Sequence, residues 1–344
     1  LEFRRVLFRS YNKGMKFMKQ IDVQMFLRPM GAGITRPALV IGDDFQEYII
    51  KNESVDENGD IVNYNCMFLN ELLAFQIGNY LGVPMPEAVV AVISKELVDY
   101  DPTIRFSYRF ERGKFFATKK LEKIENNIYE NYQELIMMKK PYMERSWKKF
   151  FRDIENKEDV SKILAFDILI ANFDRYVNTG NVLIDNGSSK RRIYAIDNGH
   201  SFFGPIWNDE KINCLNLSEV TDGYIELFAT KILREVRRTG AFGTGTVFGA
   251  LEQHIDLEDV ENHSFSDVIN NIRNIEEDMI RGWCDNIPDE WFINRDIQTA
   301  YYIKFILKQK FVVEHIIQLL ANQNAFTNFR GGILKYGEEK ENCI

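Results

Sequence analysis

The sequence has only four cysteines, Cys66, Cys214, Cys284 and Cys343, far apart and with no C-x-x-C pair. A disulfide framework is therefore not expected, and the natural setting is a reducing cytoplasm. Histidine is as sparse, with four scattered residues that offer no histidine-rich metal cage. Positive charge is in deficit: the net charge of −8 argues against a sequence-independent nucleic-acid binder. The same deficit gives no help in docking onto an anionic membrane. No run approaches the roughly 18–20 apolar residues of a membrane span. "ILAFDILIANF" comes nearest and is broken by Asp167. There is no internal repeat, no low-complexity linker and no apolar signal-peptide core. The glycine cluster "GAFGTGTVFG" at 240–249 imitates a phosphate loop but lacks the G-K-[ST] ending, and reads as an inter-helix loop.

What is present is globular. Hydrophobic residues make up 45% and charged residues 27% of 344, enough for one large domain or two modest ones. Residues 1–10, "LEFRRVLFRS", resemble a translated adapter read-through, so translation is expected to begin at Met15 or Met18. From 18 to 122 short β-branched and aromatic runs alternate with turn residues: "RPALVIG", "EYIIKN", "EAVVAVIS" and "KFFATKKLE" predict an antiparallel sheet. One helix interrupts them. "MFLNELLAFQIGNYLG" places Phe68, Leu72, Phe75, Gln76 and Tyr80 near one face, and Gly82 and Pro84 stop it.

From about 123 the pattern becomes helical. "KLEKIENNIYENYQELIMMKK" and "KEDVSKILAFDILIANFD" are helix candidates, and three more follow residue 210. "KKPYMERSWKKFFR" at 139–152 reads as a solvated basic helix face. The end, 336–344, is a polar tail. The expected fold is α+β and two-lobed: 15–122 a small antiparallel β-rich N-lobe with one helix, 123–335 a larger helical C-lobe, and a cleft between them.

A single strand pair interrupts this helical region. "ANFDRYVNTGNVLIDN" leaves a helix, crosses a polar loop and enters a strand, and "YAIDNGHSF" follows shortly after. An Asp at a helix-to-loop boundary, Asp174, can accept a proton from a hydroxyl or orient it. Asn178 and Asn181 add neutral oxygens, and Asp197 leaves the neighbouring strand. A carboxylate and an amide oxygen converging from adjacent strands form a hard-oxygen set suited to Mg²⁺. Phosphoryl transfer asks little more than positioning and cations at the transferred group. Each piece alone is ordinary turn chemistry; the order and the pairing give it meaning.

Asp174-Arg175-Tyr176, then Asn181-Val-Leu-Ile, then Ile196-Asp197-Asn198-Gly199-His200, resembles the catalytic loop and metal motif of HipA-like kinases, a variant shared with phosphoinositide 3/4-kinases. Upstream, "GAGITRPALV" resembles that family's first nucleotide-binding turn, with Gly31, Gly33 and Thr35. "EYIIKN" places Lys51 at the ATP-phosphate lysine, and "FLNELLAFQIGNYLGVPMP" places Glu71 on the helix that pairs with it; "IPDEW" at 287–291 is also familial. The resemblance implies a protein-kinase-like fold, with ATP and Mg²⁺ as cofactors and a hydroxyl-bearing protein Ser/Thr, or the chain itself, as acceptor. By the same resemblance Lys51 contacts phosphates, Glu71 holds Lys51, Asp174 handles the acceptor hydroxyl, and Asn181 and Asp197 bind the metal.

Arg175 is expected to brace the loop, Asp167 to support it, and His200 to be structural. The family's His is Tyr176 here. The metal Asn usually stands five residues after the Asp, where this chain has Thr179; Asn181 stands at seven and Asn178 competes at four. That departure keeps a nucleotide-binding pseudokinase open as the alternative, beside a lipid or small-molecule kinase. A DNA-binding partner is typical of the family's toxin–antitoxin kinases, but no residue of this sequence points to one.

Overall fold

The computed structural model describes residues 18–30, 35–57, 60–125, 143–177, 179–187, 190–216, 220–236 and 245–337. Residues 1–10, Gly31, Gly33, Asn178, most of the helix candidate at 120–140 and the tail from 338 lie outside these.

The expected antiparallel sheet is a closed barrel. β1 (Gln20–Pro29), β2 (Ala38–Gly42), β3 (Glu47–Ile50), β7 (Gly113–Lys119) and β6 (Ala88–Ile93) pair in that order. Every neighbour is antiparallel except β1 and β6, which run parallel and close the ring. Closure leaves the barrel itself without an open edge. A small hairpin, β4 (Ser54–Glu57) with β5 (Asp60–Asn63), follows β3.

Side-chain alternation explains why β6 is apolar throughout. Val89, Ala91 and Ile93 point into the barrel with Val23, Val40, Tyr48 and Ile50, whereas Ala88 and Val90 face the main core. A strand buried on both faces reads as a continuous hydrophobic run.

The main core is organised around α1 (Met67–Leu81), which ends on Gly82 at φ 70° with Val83 N–H bonding back to Gly78 O at 2.8 Å. Gly supplies this left-handed cap without a Cβ penalty. The expectation of one buried face fails here. Leu69, Asn70, Glu71, Leu73 and Ala74 are buried together with Phe68 and Leu72, while Phe75 and Tyr80 are only partly covered. A helix enclosed all round sits between two layers, here the barrel and the helices that follow. Gly78 leaves room for Met85 and Phe166 against the helix: a Cβ there would lie 2.2 Å from Met85 Cε and 3.3 Å from Phe166 Cε2. The motif at 287–291 fastens the same junction, with Trp291 packed on Phe68 and its Nε1 donating to Lys114 O at 3.2 Å.

The one-helix expectation for 15–122 also needs correction, since α2 (Lys95–Tyr100) and a π-type turn (Ile104–Tyr108) lie between β6 and β7. Beyond β7, residues Lys123–Glu125 extend the edge of β8 (Val182–Asp185) instead of starting a helix: Glu125 N–H bonds Ile184 O at 2.8 Å. α3 (Met143–Phe150) exposes Lys148 and Lys149, while Trp147 and neighbouring Phe151 are fully buried, so the basic face is solvated and the aromatic one is core. α4 (Asp159–Leu169) is buried along nearly its whole length.

After α5 (Asp174–Val177) come β8 and its antiparallel partner β9 (Arg192–Ala195), then α6 (Asp209–Leu215) and α7 (Asp222–Val236). Residues 245–251 form α8 (Gly245–Leu251), not the expected loop. α9 (Ser266–Arg273), α10 (Glu277–Asp285), α11 (Arg295–Gln309) and α12 (Val313–Asn322) complete the helical region. The tail is docked further than expected, with Tyr336 buried edge-on against His263 at 4.9 Å. Among the described residues no helix is long and apolar enough to cross a membrane.

Candidate active site

The β8–β9 hairpin sets the geometry. Val182 pairs with Ala195, and beyond this pair Ile196 N–H bonds Asn181 O at 3.1 Å. Register therefore brings Asn181 and Asp197 to the same end of the hairpin. Asp174 reaches that end from the other side. α4 runs out at Ile170, Ala171 turns the chain at φ 50°, and Asn172 N–H bonds back to Asp167 O at 2.8 Å. Asn181 Nδ2 then donates to Asp174 Oδ2 at 2.6 Å. That bond fixes the amide so that its oxygen is left for another partner.

Arg175 holds the loop. Its Nε donates to both Asp167 oxygens at 3.0 and 2.8 Å, one terminal nitrogen donates to Asn181 O at 2.5 Å and Ile196 O at 2.7 Å, and the other donates to Asn198 Oδ1 at 2.6 Å. The guanidinium is buried, with a side chain only 4% exposed. One planar fork thus ties the helix, both strand ends and the loop after Asp197 into one body. Burial pushes the Asp167 carboxyl up to about 6 against the pull of Arg175.

Lys51 comes from the barrel. Its backbone continues β3 by bonding Phe116 O, and its ammonium pairs with Glu71 and, at 2.9 Å, with Asp197 Oδ1. Burial works against the Lys51 charge, but the two facing carboxylates outweigh it and raise its pKa. Burial raises Glu71, whereas at Asp197 the lysine overcomes burial and holds the carboxyl below its ordinary range. Asp197 is thus held ionised. Glu71 also accepts Asn198 N–H at 3.1 Å, so α1 touches both the lysine and the loop. Gly199 permits this approach, since a Cβ there would lie 2.6 Å from Met67 Cγ.

Thr35 is buried, and its carbonyl accepts Asn52 N–H at 3.3 Å beside Lys51; the two glycines of that turn and Asn178 are not among the described residues. His200 packs edge-on against Tyr64, ring centroids 5.5 Å apart. Among the described residues no three His, Cys, Asp or Glu gather to hold a metal by themselves. A site with one carboxylate and an amide oxygen fits a hard divalent ion that takes its remaining oxygens from phosphates and water, the usual habit of Mg²⁺.

Two features are not foreshadowed by the sequence motifs. Glu53 accepts Phe68 N–H at 3.3 Å and so caps α1, where Cys66 supplies no side-chain cap; burial pushes its carboxyl up to about 7. Asn70 and Lys211 form a polar cluster behind the 197–204 loop. A polar Asn inside "MFLNELLAF" is a visible anomaly, while Lys211 in "NDEKINCL" looks like surface charge.

A sequence model described as HipA-like kinase matches residues 23–214, more than half the chain. No curated protein matches the sequence. Among solved structures, the Helicobacter pylori proinflammatory kinase CtkA is similar at 14% identity and a TM-score of 0.48, covering 88% of this chain and 98% of its own. The Golgi casein kinase is similar at 12% identity and a TM-score of 0.43, covering 92% of this chain and 76% of its own. A second structure of that enzyme, with Mn/ADP bound, gives 12% identity and 0.43, covering 90% and 75%.

Proposed function

The chain belongs to the HipA-like kinase family, and from that premise we propose that it transfers the γ-phosphoryl group of ATP, with Mg²⁺, to a Ser or Thr hydroxyl of a protein, itself included. Membership makes it a kinase-type phosphotransferase; the nucleotide, ion, acceptor and residue roles are our reading. One observation carries it. Side chains from four separate elements meet at one hairpin end, with Lys51 joining Glu71 to Asp197 and Asn181 holding Asp174.

In this reading the barrel-bearing segment 15–122 is the N-lobe and 123–335 the C-lobe, and the nucleotide lies between them over the turn that ends at Thr35. Lys51 places its ammonium against the phosphates, and Glu71 keeps it there. Asp174 sits with one oxygen fixed by Asn181, so the carboxylate is oriented to receive the proton of an acceptor hydroxyl or to aim that hydroxyl. Asp197, held ionised, and the amide oxygen of Asn181 would hold the divalent ion. Such an ion supplies neutralisation of the charge that builds on the transferred group. Arg175 touches no substrate and keeps the two ligands in register.

The test is Mg²⁺-dependent transfer from γ-labelled ATP by the full chain, to itself and to a degenerate Ser/Thr peptide library. Label should enter protein or peptide with the unchanged chain and be absent with Asp174→Ala and with Asp197→Ala. Equal labelling by either variant would overturn the assignment.

A further inference from the structure

Behind the cleft lies a buried polar cluster that phosphoryl transfer does not use directly. Asn70 is fully buried in the first turn of α1, one residue before Glu71. Its amide nitrogen donates to three carbonyl oxygens of one loop, Gly199 at 2.7 Å, Ser201 at 3.0 Å and Gly204 at 3.0 Å. Its amide oxygen accepts the Tyr302 hydroxyl at 2.7 Å and the Lys211 ammonium at 3.1 Å. Lys211 gives a second bond to Gly204 O at 2.7 Å and is 1% exposed. Among the described residues no carboxylate pairs with it. An ammonium cannot accept and a carbonyl cannot donate, so the amide is satisfied only one way round. Lys211 is itself fixed by its backbone, whose N–H bonds Asn208 Oδ1 at 2.9 Å at the start of α6.

The loop so held is strained. Asp197, Phe202 and Phe203 have φ of 60°, 55° and 66°, the left-handed region, and none of them is glycine. Such conformations persist only where the surroundings over-determine them. Besides Asn70, Phe202 N–H is held by Ile170 O at 2.7 Å.

We propose that Asn70 is a positioning residue for Asp197. Consecutive residues of α1 then divide the work: Glu71 sets the lysine and Asn198, and Asn70 pins the carbonyls that follow, so the Asp197 carboxylate stays aimed at the metal position. Lys211 acts through Asn70 by fixing which way its amide faces. The inference rests on reading Asp197 as a metal ligand. Asn70→Asp keeps the shape but replaces the donating amide with an oxygen facing three carbonyl oxygens, which frees the loop.

The test is Mn²⁺ binding to the full chain with a non-hydrolysable ATP analogue, followed by the paramagnetic signal of free Mn²⁺, with urea unfolding run alongside. Asn70→Asp should weaken Mn²⁺ binding about 10- to 100-fold, the usual effect of losing a group that orients a ligand. Lys211→Met should weaken it in the same direction, about threefold or more, at a nearly unchanged urea midpoint, which a merely structural residue would not do. Metal-free binding of the analogue should stay unchanged in both. Unchanged Mn²⁺ affinity in the folded variants would overturn the inference, and if Asn70→Asp does not fold, Lys211→Met decides. Absence of analogue-dependent Mn²⁺ binding in the unchanged chain would instead sink the metal reading of Asp197, and the inference with it.

Discussion

Arg175 and Lys211 are both buried cations against the loop that follows Asp197, and they are buried in opposite ways. Arg175 faces Asp167 at 2.8 Å and so carries its counter-charge with it. Lys211 donates to the neutral oxygens of Asn70 and Gly204 beside the Tyr302 ring, with no carboxylate partner among the described residues. Burial pushes its pKa down to about 8, the nearby Cys66 opposing the shift. The first arrangement ties α4 to both strand ends rigidly, because removing either charge strands the other. The second holds the loop after Asp197 by hydrogen bonds alone. Its two acceptors keep other partners if the lysine goes: Tyr302 still donates to Asn70, and Asn70 still donates to Gly204. The segment around Arg175 is thus braced by an ion pair, and the loop after Asp197 keeps its left-handed residues with hydrogen bonds that survive loss of the Lys211 cation.

The comparison breaks most visibly at Arg175. Arg175→Met leaves Asp167 buried without its cation, and urea unfolding should show a loss of about 3–5 kcal/mol; a loss below about 1 kcal/mol would mean the pair is not the brace. Next comes pH. Lys211 titrates near 8 when folded and near the ordinary 10.5 when unfolded, so between those values the unfolded chain binds more protons. Stability attributable to Lys211 should therefore rise with pH across that window, by up to about 3 kcal/mol. Lys211→Met should lack that rise.

Glu53 sharpens the contrast with a partly buried charge of the other sign that has no cation partner among the described residues. Its folded value near 7 lies above the ordinary 4.5, so its burial costs stability increasingly as pH rises from about 4.5 to 7. Glu53→Gln should remove that decline and gain about 1–2 kcal/mol at pH 8, discounted for partial exposure. Smallest is Lys211→Met at pH 7, expected within about 1 kcal/mol of the unchanged chain by the same urea assay.

Much of this was legible in the sequence. The β-branched runs "EYIIKN" and "EAVVAVIS" between turn residues marked the strands, and the order of Lys51, Glu71, Asp174, Asn181 and Asp197 marked residues that the structure brings to one hairpin end. Barrel closure was not legible, because the parallel pairing of β1 with β6 is chosen by long-range packing and leaves no local period. The all-round burial of α1 was missed because Asn70 and Glu71 look like a polar face until their partners are known. The partners of Asn70 lie 129 to 232 residues away, from Gly199 to Tyr302. Lys211 was hidden by its neighbours: among Asp209 and Glu210 it reads as a solvated charge.

The most direct measurement is the calorimetric affinity of a non-hydrolysable ATP analogue with and without Mg²⁺, for the unchanged chain, Asp174→Ala and Asp197→Ala. If Asp197 holds the metal and Asp174 serves the acceptor, Mg²⁺ tightens binding in the unchanged chain and in Asp174→Ala alike, and has no effect in Asp197→Ala. A Mg²⁺ effect that survives in Asp197→Ala, or that is lost in Asp174→Ala, would contradict that division of roles.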